Sequence, residues 1–274
     1  MLVGLLYFVL WNAFCIFVET ELSLIEMYAM MNELEVALKG IDWSKPQDCF
    51  ASIAEILMGK YVIEKGGKRY AIVEIEFYVY SNGHKDYITY PRDCKAGRWY
   101  FHQSGVDLTF ESGDISITKD KNGNDAVVLL SNPHFGGILI RGLCNLNPTN
   151  NEEPYILGPL KCVDVLWDEF DALAHSVGEY PVLNRAVQAD NLNTDNLFQC
   201  KRCINIKEDD NYRFERIKTW AKRIGIEATE DELIDYRNEM FDNPKTHRYR
   251  FLNLVHGENP HTFTKIPSSA RPKY

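Results

Sequence analysis

Four motifs that announce common chemistries are missing from this 274-residue chain. No GxGxxG opens a helix, and no P-loop, GxSxG elbow or HExxH is present. Dinucleotide, nucleoside-triphosphate, serine-hydrolase and zinc-protease readings all lose their support. Internal repeats and low-complexity tracts are lacking too, so a solenoid or a disordered chain does not fit. Basic residues are in deficit, with 30 Lys+Arg against 39 Asp+Glu and a formal net charge of −9. That balance is awkward for a protein that grips phosphate, because such proteins usually present a basic face. The deficit lies upstream: residues 201–274 hold 15 Lys+Arg against 12 Asp+Glu. Dense, paired cysteine spacing is absent as well. The seven cysteines are an odd, scattered set, which argues for reduced thiols in a cytoplasm rather than a secreted disulfide scaffold. Cys200 and Cys203 form a CxxC, half of a zinc site, but no second CxxC or HxxxH completes it. Two structural thiols are the simpler reading, and neither a metal nor another cofactor is expected.

What is present is an ordinary globular composition, 45% hydrophobic and 25% charged, long enough for one domain with a full core. The exception is the start. Residues 1–18 are almost wholly apolar, yet lack a basic flank and a clear cleavage site. They read as an over-called start, with translation beginning at Met30 or Met31, or as a membrane signal or short spanning helix. The expected organisation is an apolar segment over 1–30, one domain over 31–256 and a loose tail over 257–274. A membrane enters only if residues 1–18 are a genuine signal.

Periodicity predicts helices over 32–39 and 49–58, the second closed by Gly59. Residues 61–64 and 69–80 read as a hairpin about Gly66-Gly67. Strands follow over 99–102, 106–111, 114–118 and 126–130, with Asn122-Gly123 turning between the last two. Residues 135–143 form another strand and 160–174 a helix. Residues 214–223 read as a surface strand or helix edge, 229–240 as a helix with a capping-box start and 249–254 as a last strand. The order argues a single α+β domain built on a curved antiparallel sheet flanked by helices.

The most informative segment is 69–80. Alternation places Ala71, Val73, Ile75, Phe77 and Val79 on one face, and Tyr70, Ile72, Glu74, Glu76, Tyr78 and Tyr80 on the other. Two carboxylates about 6.5–7 Å apart raise each other's proton affinity, which suits general acid–base work. A solvated strand face offers the plainer account. The aromatic and histidine set around them (Tyr78, Tyr80, His84, Trp99, Tyr100, Phe101, His102) suits a pocket for a planar base, or ordinary packing.

The run Ile72-Val73-Glu74-Ile75-Glu76-Phe77-Tyr78 resembles the IVExExY strand of the methylpurine-DNA glycosylases, the alkyladenine type. Other stretches are similar to that family in the same order. They are Ala54-Glu55-Ile56-Leu57-Met58-Gly59-Lys60, Ala96-Gly97-Arg98-Trp99-Tyr100, the stretch 135–143, Gly158-Pro159-Leu160-Lys161-Cys162, Thr194-Asp195-Asn196-Leu197, Arg223-Ile224-Gly225-Ile226 and 248–252. Each is short, and together they span roughly 48–254. The resemblance implies a partial-barrel fold and hydrolysis of the N-glycosidic bond of a damaged purine extruded from DNA. Water is activated by a glutamate, without a Schiff base or a metal. It makes Glu76 the catalytic carboxylate and Tyr78 a stacking wall. His84 becomes the opposing wall, at a shorter spacing than the family's. Arg141 is there to hold phosphate or to orient the carboxylate's surroundings, with Glu74 in support.

The chain departs from the family in three places. The third wall falls on Phe101 or His102. The bulky wedge that fills the vacancy left by the base becomes Ser104, before Gly105. No asparagine stands near Phe110-Glu111, so Glu111 is expected to add negative charge beside Glu76. A serine fills such a gap poorly. A non-catalytic relative that binds nucleic acid or a protein therefore stays open as the alternative, as does a membrane-tethered protein using the fold for something else.

Overall fold

Gly66 and Gly67, both at positive φ, turn strand β1 (Tyr61–Lys65) back into β2 (Lys68–Ser81), and this hairpin seeds the sheet. In the computed structural model, which describes residues 32–119, 123, 125–149, 153–168, 180–203, 218, 221, 229 and 247–253, eleven strands join one antiparallel sheet. After β2 come β3 (His84–Lys85), β4 (Trp99–His102), β5 (Gly105–Thr109), β6 (Gly113–Lys119) and β7 (Asp125–Asn145). Then follow β8 (Tyr155–Leu157), β9 (Val182–Arg185), β10 (Leu197–Cys200) and β11 (Arg250–Asn253). The main path runs β10-β11-β2-β7-β5-β4, with β2 and β7 at its centre. Helices α1 (Glu33–Lys39), α2 (Phe50–Lys60) and α3 (Pro159–Leu166) accompany it, giving an α+β domain on a curved half-barrel sheet.

Asn32 caps α1 through its side chain, which accepts the Leu34 N–H at 2.9 Å. Helix α2 buries Phe50, Ile53, Ala54, Leu57 and Met58 against β2. Phe50 stacks on Phe77 with ring centroids 4.3 Å apart. Each such side chain contributes about 1.5–3 kcal/mol when fully buried. The helix runs through Gly59 rather than stopping there. A Cβ at that position would sit 2.7 Å from Thr194 Cγ2, so the glycine serves close packing and not a cap.

The strands expected over 126–130 and 135–143 are one strand of 21 residues. It passes through Pro133, which is tolerated because the pairing with β6 breaks there: Gly113 faces His134 and Ile115 faces Leu129. Asp114, at φ 49°, accepts the Asn132 N–H at 3.0 Å and stitches the irregularity. The helix expected over 160–174 spans Pro159–Leu166, and residues 169–174 lie outside the described set. So do the apolar start, the tail and almost all of 214–223 and 229–240. Strands β3, β8, β9 and β10 have no counterpart among the strands expected from the sequence. Among the described residues no helix is long and apolar enough to cross a membrane.

Strand β2 is not one unbroken alternation. Its register with β7 shifts twice: Ile72 faces Leu143, Glu74 faces Gly142 and Ile75 faces Ile140. Val73 is extra on one strand and Arg141 on the other, so the two offsets cancel. The bulge splits the apolar face predicted over Ala71–Val79. Tyr70, Ile72, Ile75, Phe77 and Val79 lie in the main core. Ala71 and Val73 join a smaller cluster on the opposite side with Cys144, Cys200 and Leu252. Glu74, Glu76 and Tyr78 keep to that second side.

Candidate functional site

Glu76 is the second of five directly opposed residues in a row that crosses five strands. Arg250 on β11 faces Glu76 on β2, Glu76 faces Leu139 on β7, Leu139 faces Asp107 on β5, and Asp107 faces Tyr100 on β4. Opposed residues share a sheet face, so the row is the floor of a site on the side away from the main core. Two strand spacings set Glu76 and Asp107 roughly 10 Å apart along it.

The Glu76 carboxylate is 0% exposed. Its Oε1 accepts the Cys203 N–H at 2.6 Å. Its Oε2 accepts the Tyr78 hydroxyl at 2.7 Å and faces Arg141 Nη1 at 3.3 Å. Arg141, extruded by the bulge, turns its Nε onto Glu74 Oε1 at 2.7 Å. Arg250 Nε reaches the same Glu74 oxygen at 2.8 Å, and its Nη1 lies 2.9 Å from Cys203 Sγ. Two glutamates and two arginines thus form one buried, charge-balanced network, which is what makes burying the carboxylates tolerable. Burial and the charge of Glu76 push the Tyr78 phenol well above its ordinary value, against the pull of Arg202 and Arg141. Tyr78 is therefore a neutral hydrogen-bond donor to Glu76. The two carboxylates are not on a solvated strand face.

A second charged group occupies the far end of the row. Arg92 and Asp107, 1% and 2% exposed, pair at 2.5 Å through Arg92 Nη1 and Asp107 Oδ2. The Arg92 guanidinium also lies 4.2 Å over the Tyr100 ring. Gly137 makes room for it: a Cβ there would meet Arg92 Nη1 at 2.8 Å and Asp107 Cβ at 2.9 Å. Replacing Gly137 by Ala is expected to cost about 1–3 kcal/mol through this crowding, read as a lowered urea midpoint. His102 Nδ1 accepts the Ser104 N–H at 3.2 Å, so its Nε2 carries the proton toward Asp107 Oδ1 at 3.1 Å. Tyr90 stacks on the same ring at 4.9 Å. Burial pushes the Asp107 carboxyl up, but Arg92 and His102 outweigh it and hold it below the usual range.

The structure thus brings Glu74, Glu76, Tyr78 and Arg141 together, while His102 sits beside the row and touches it through Asp107. The Arg141 guanidinium touches both Glu74 and Glu76. Phe101 and His102 are neighbours on one strand and face opposite ways: Phe101 is 50% exposed and packs on Trp167 at 4.6 Å. It is a wall of nothing on the Glu76 side. Ser104 is exposed at the β4–β5 turn, and Gly105 is buried with Pro159 of α3 against it. Glu111 is not beside Glu76. It holds Lys95 at 2.9 Å and the Ala96 N–H at 2.8 Å, so the acidic group on the floor is Asp107 instead.

His84 does not face Glu76 either. Its ring packs on Tyr249 at 5.5 Å and on His247 at 5.7 Å, and its Nε2 is buried without a partner. Burial, with His247 and Arg202 nearby, pulls its pKa below the ordinary value against the pull of Asp86, and His247 is lowered by burial and Arg202. A histidine with a depressed folded pKa binds fewer protons than the unfolded chain just below pH 6.5, so stability falls as pH falls through that window. The thermal midpoint should drop between about pH 7.5 and about pH 5, and a His84→Gln, His247→Gln variant should flatten that drop.

Arg92, Asp107, Arg202 and Arg250 are site residues that motif reading passed over. Asp107 had a signal, being the polar member of the alternating Val106-Asp107-Leu108, and Arg250 another, next to Phe251. Among the described residues no group of three or more His, Cys, Asp or Glu is placed to hold a metal ion. Set against protein-family models, characterised proteins and solved structures, the chain has no match in any of the three comparisons.

Proposed function

We propose that this protein hydrolyses the N-glycosidic bond of a damaged or modified purine in DNA, as a divergent relative of the methylpurine-DNA glycosylases. One observation carries the reading: a carboxylate sealed in the middle of the sheet, gripped by Arg141, Tyr78 and the Cys203 N–H. An ionised carboxylate offers about four lone-pair places. Three are taken at Glu76, two on Oε2 and one on Oε1. The remaining place on Oε1 is where an attacking water would hand over its proton. Arg141 Nη1 lies against Oε2 at 3.3 Å, and Tyr78 presents its ring to a base lying over Leu139. His102, fixed by Asp107, marks the far edge of that space. The reaction needs no metal, Schiff base or diffusible cofactor. The reading places the protein in the cytoplasm, where the free thiols among its described cysteines stay reduced. Incubation with alkylated duplex DNA tests it: free methylated purine should appear in solution.

A second reading, a non-catalytic relative that binds nucleic acid or a protein, is favoured by Ser104. Its small side chain at the exposed turn is a poor wedge, and unstacking a base costs a few kcal/mol. On that reading no base is released. Any DNA binding then weakens with salt at a slope set by the phosphates neutralised, against a chain charge of −9.

A further inference from the structure

The side chains of Asp86 and Arg202 are both 0% exposed and form an ion pair at 2.6 Å. Asp86 belongs to no motif in the sequence, and Arg202 is one of the two residues between the cysteines of the Cys200–Cys203 CxxC. Their place follows from how β2 loses its neighbour. The Phe77 N–H still bonds the Tyr249 carbonyl at 2.8 Å, but β11 begins only at Arg250. Arg202 Nη1 takes up the Phe77 carbonyl at 3.0 Å. From there its guanidinium lies 4.6 Å over the Tyr78 ring and 5.3 Å over the Tyr249 ring, one aromatic from each side of β2. The next residue donates its N–H to Glu76 Oε1 at 2.6 Å. A buried ion pair is a weak stabiliser, since two apolar side chains often serve as well. Here the same side chain anchors the ring that touches one Glu76 oxygen and the backbone that touches the other.

We propose that Arg202 is a positioning residue of the Glu76 site: clamped by Asp86 and the Phe77 carbonyl, it holds the Tyr78 ring and sets the Cys203 N–H on Glu76 Oε1. The proposal rests on Glu76 as the water-activating carboxylate. Activation of water tolerates little misplacement, and a shift of about 1 Å can cost around a hundredfold in rate. Lysine in place of Arg202 keeps the charge for Asp86 but loses the planar fork, so it restores only part of the effect.

The test compares the parent, Arg202→Lys and the double variant Arg202→Met, Asp86→Asn, which removes both charges together and so avoids an orphaned ion. Two readouts are taken on the full chain: amide hydrogen exchange, and kcat and KM for release of free purine from alkylated duplex DNA. The double variant should exchange the Cys203 amide at least about tenfold faster while the Ile75 amide keeps its rate. Its kcat should fall about 10–100-fold with KM little changed, and Arg202→Lys should lie between. Uniform acceleration of every amide, or an unchanged Cys203 amide, overturns the proposal. A parent that releases no base overturns the glycosylase reading instead, and the Cys203 exchange then still decides whether Arg202 positions Glu76.

Discussion

Cutting Asp107 back to Ala is expected to destabilise the fold by about 3–5 kcal/mol, the cost of leaving a buried charge without its partner. Arg92 is 1% exposed, and its remaining contacts are the Tyr90 carbonyl at 3.1 Å and the face of Tyr100. Neither neutralises a guanidinium. Replacing both members, Arg92→Met with Asp107→Leu, should recover most of the loss, since the desolvation penalty goes with the charges. Urea unfolding at neutral pH measures both. A shift under about 1 kcal/mol for the single variant would mean that water reaches the pair and that the far end of the floor is open.

The second large effect is on chemistry. Glu76→Gln should lower base release by about 10²–10⁴-fold, the usual contribution of a positioned general base. The fold should survive the change. The glutamine carbonyl can accept the Cys203 N–H in place of Oε1, Tyr78 can turn its hydroxyl from donor to acceptor, and Arg141 remains paired with Glu74. Near-ultraviolet circular dichroism should therefore match the parent while activity is lost. Glu74→Gln should act differently. Two arginines converge on that side chain, so its loss shows first in stability and only then in rate.

How much of this could be read from residues alone depends on sequence distance. The β1–β2 hairpin was legible because two glycines separate two alternating runs. Glu76 was legible as a side chain opposed to Ile75 and Phe77, which are unmistakably core. The bulge was not, because a register shift is a property of two strands, and the compensating extra residue, Arg141, lies on β7, 68 positions beyond Val73. For the same reason the partners of Glu76 came out only in part. Tyr78 is two residues away, whereas Cys203 is 127 away and reaches Glu76 through a backbone N–H that carries no side-chain signal. Leaving the third wall open between Phe101 and His102 ignored the alternation that had worked for β2: one residue of each adjacent pair must turn its back. His84 was chosen on proximity along the chain, and the fold turned it toward His247 and Tyr249. Glu111 failed by a different route. The end of β5 at Thr109 lets the chain leave the sheet, and Glu111 closes onto Lys95 and Ala96 there.

The central claim is that Glu76 is a working carboxylate and not merely a buried strut. Chromatography of the supernatant after incubating the full chain with alkylated duplex DNA at neutral pH tests it most directly. The account predicts a free methylated purine from the parent and none above background from a folded Glu76→Gln protein. Identical supernatants from the two, whether both empty or both containing base, would contradict it.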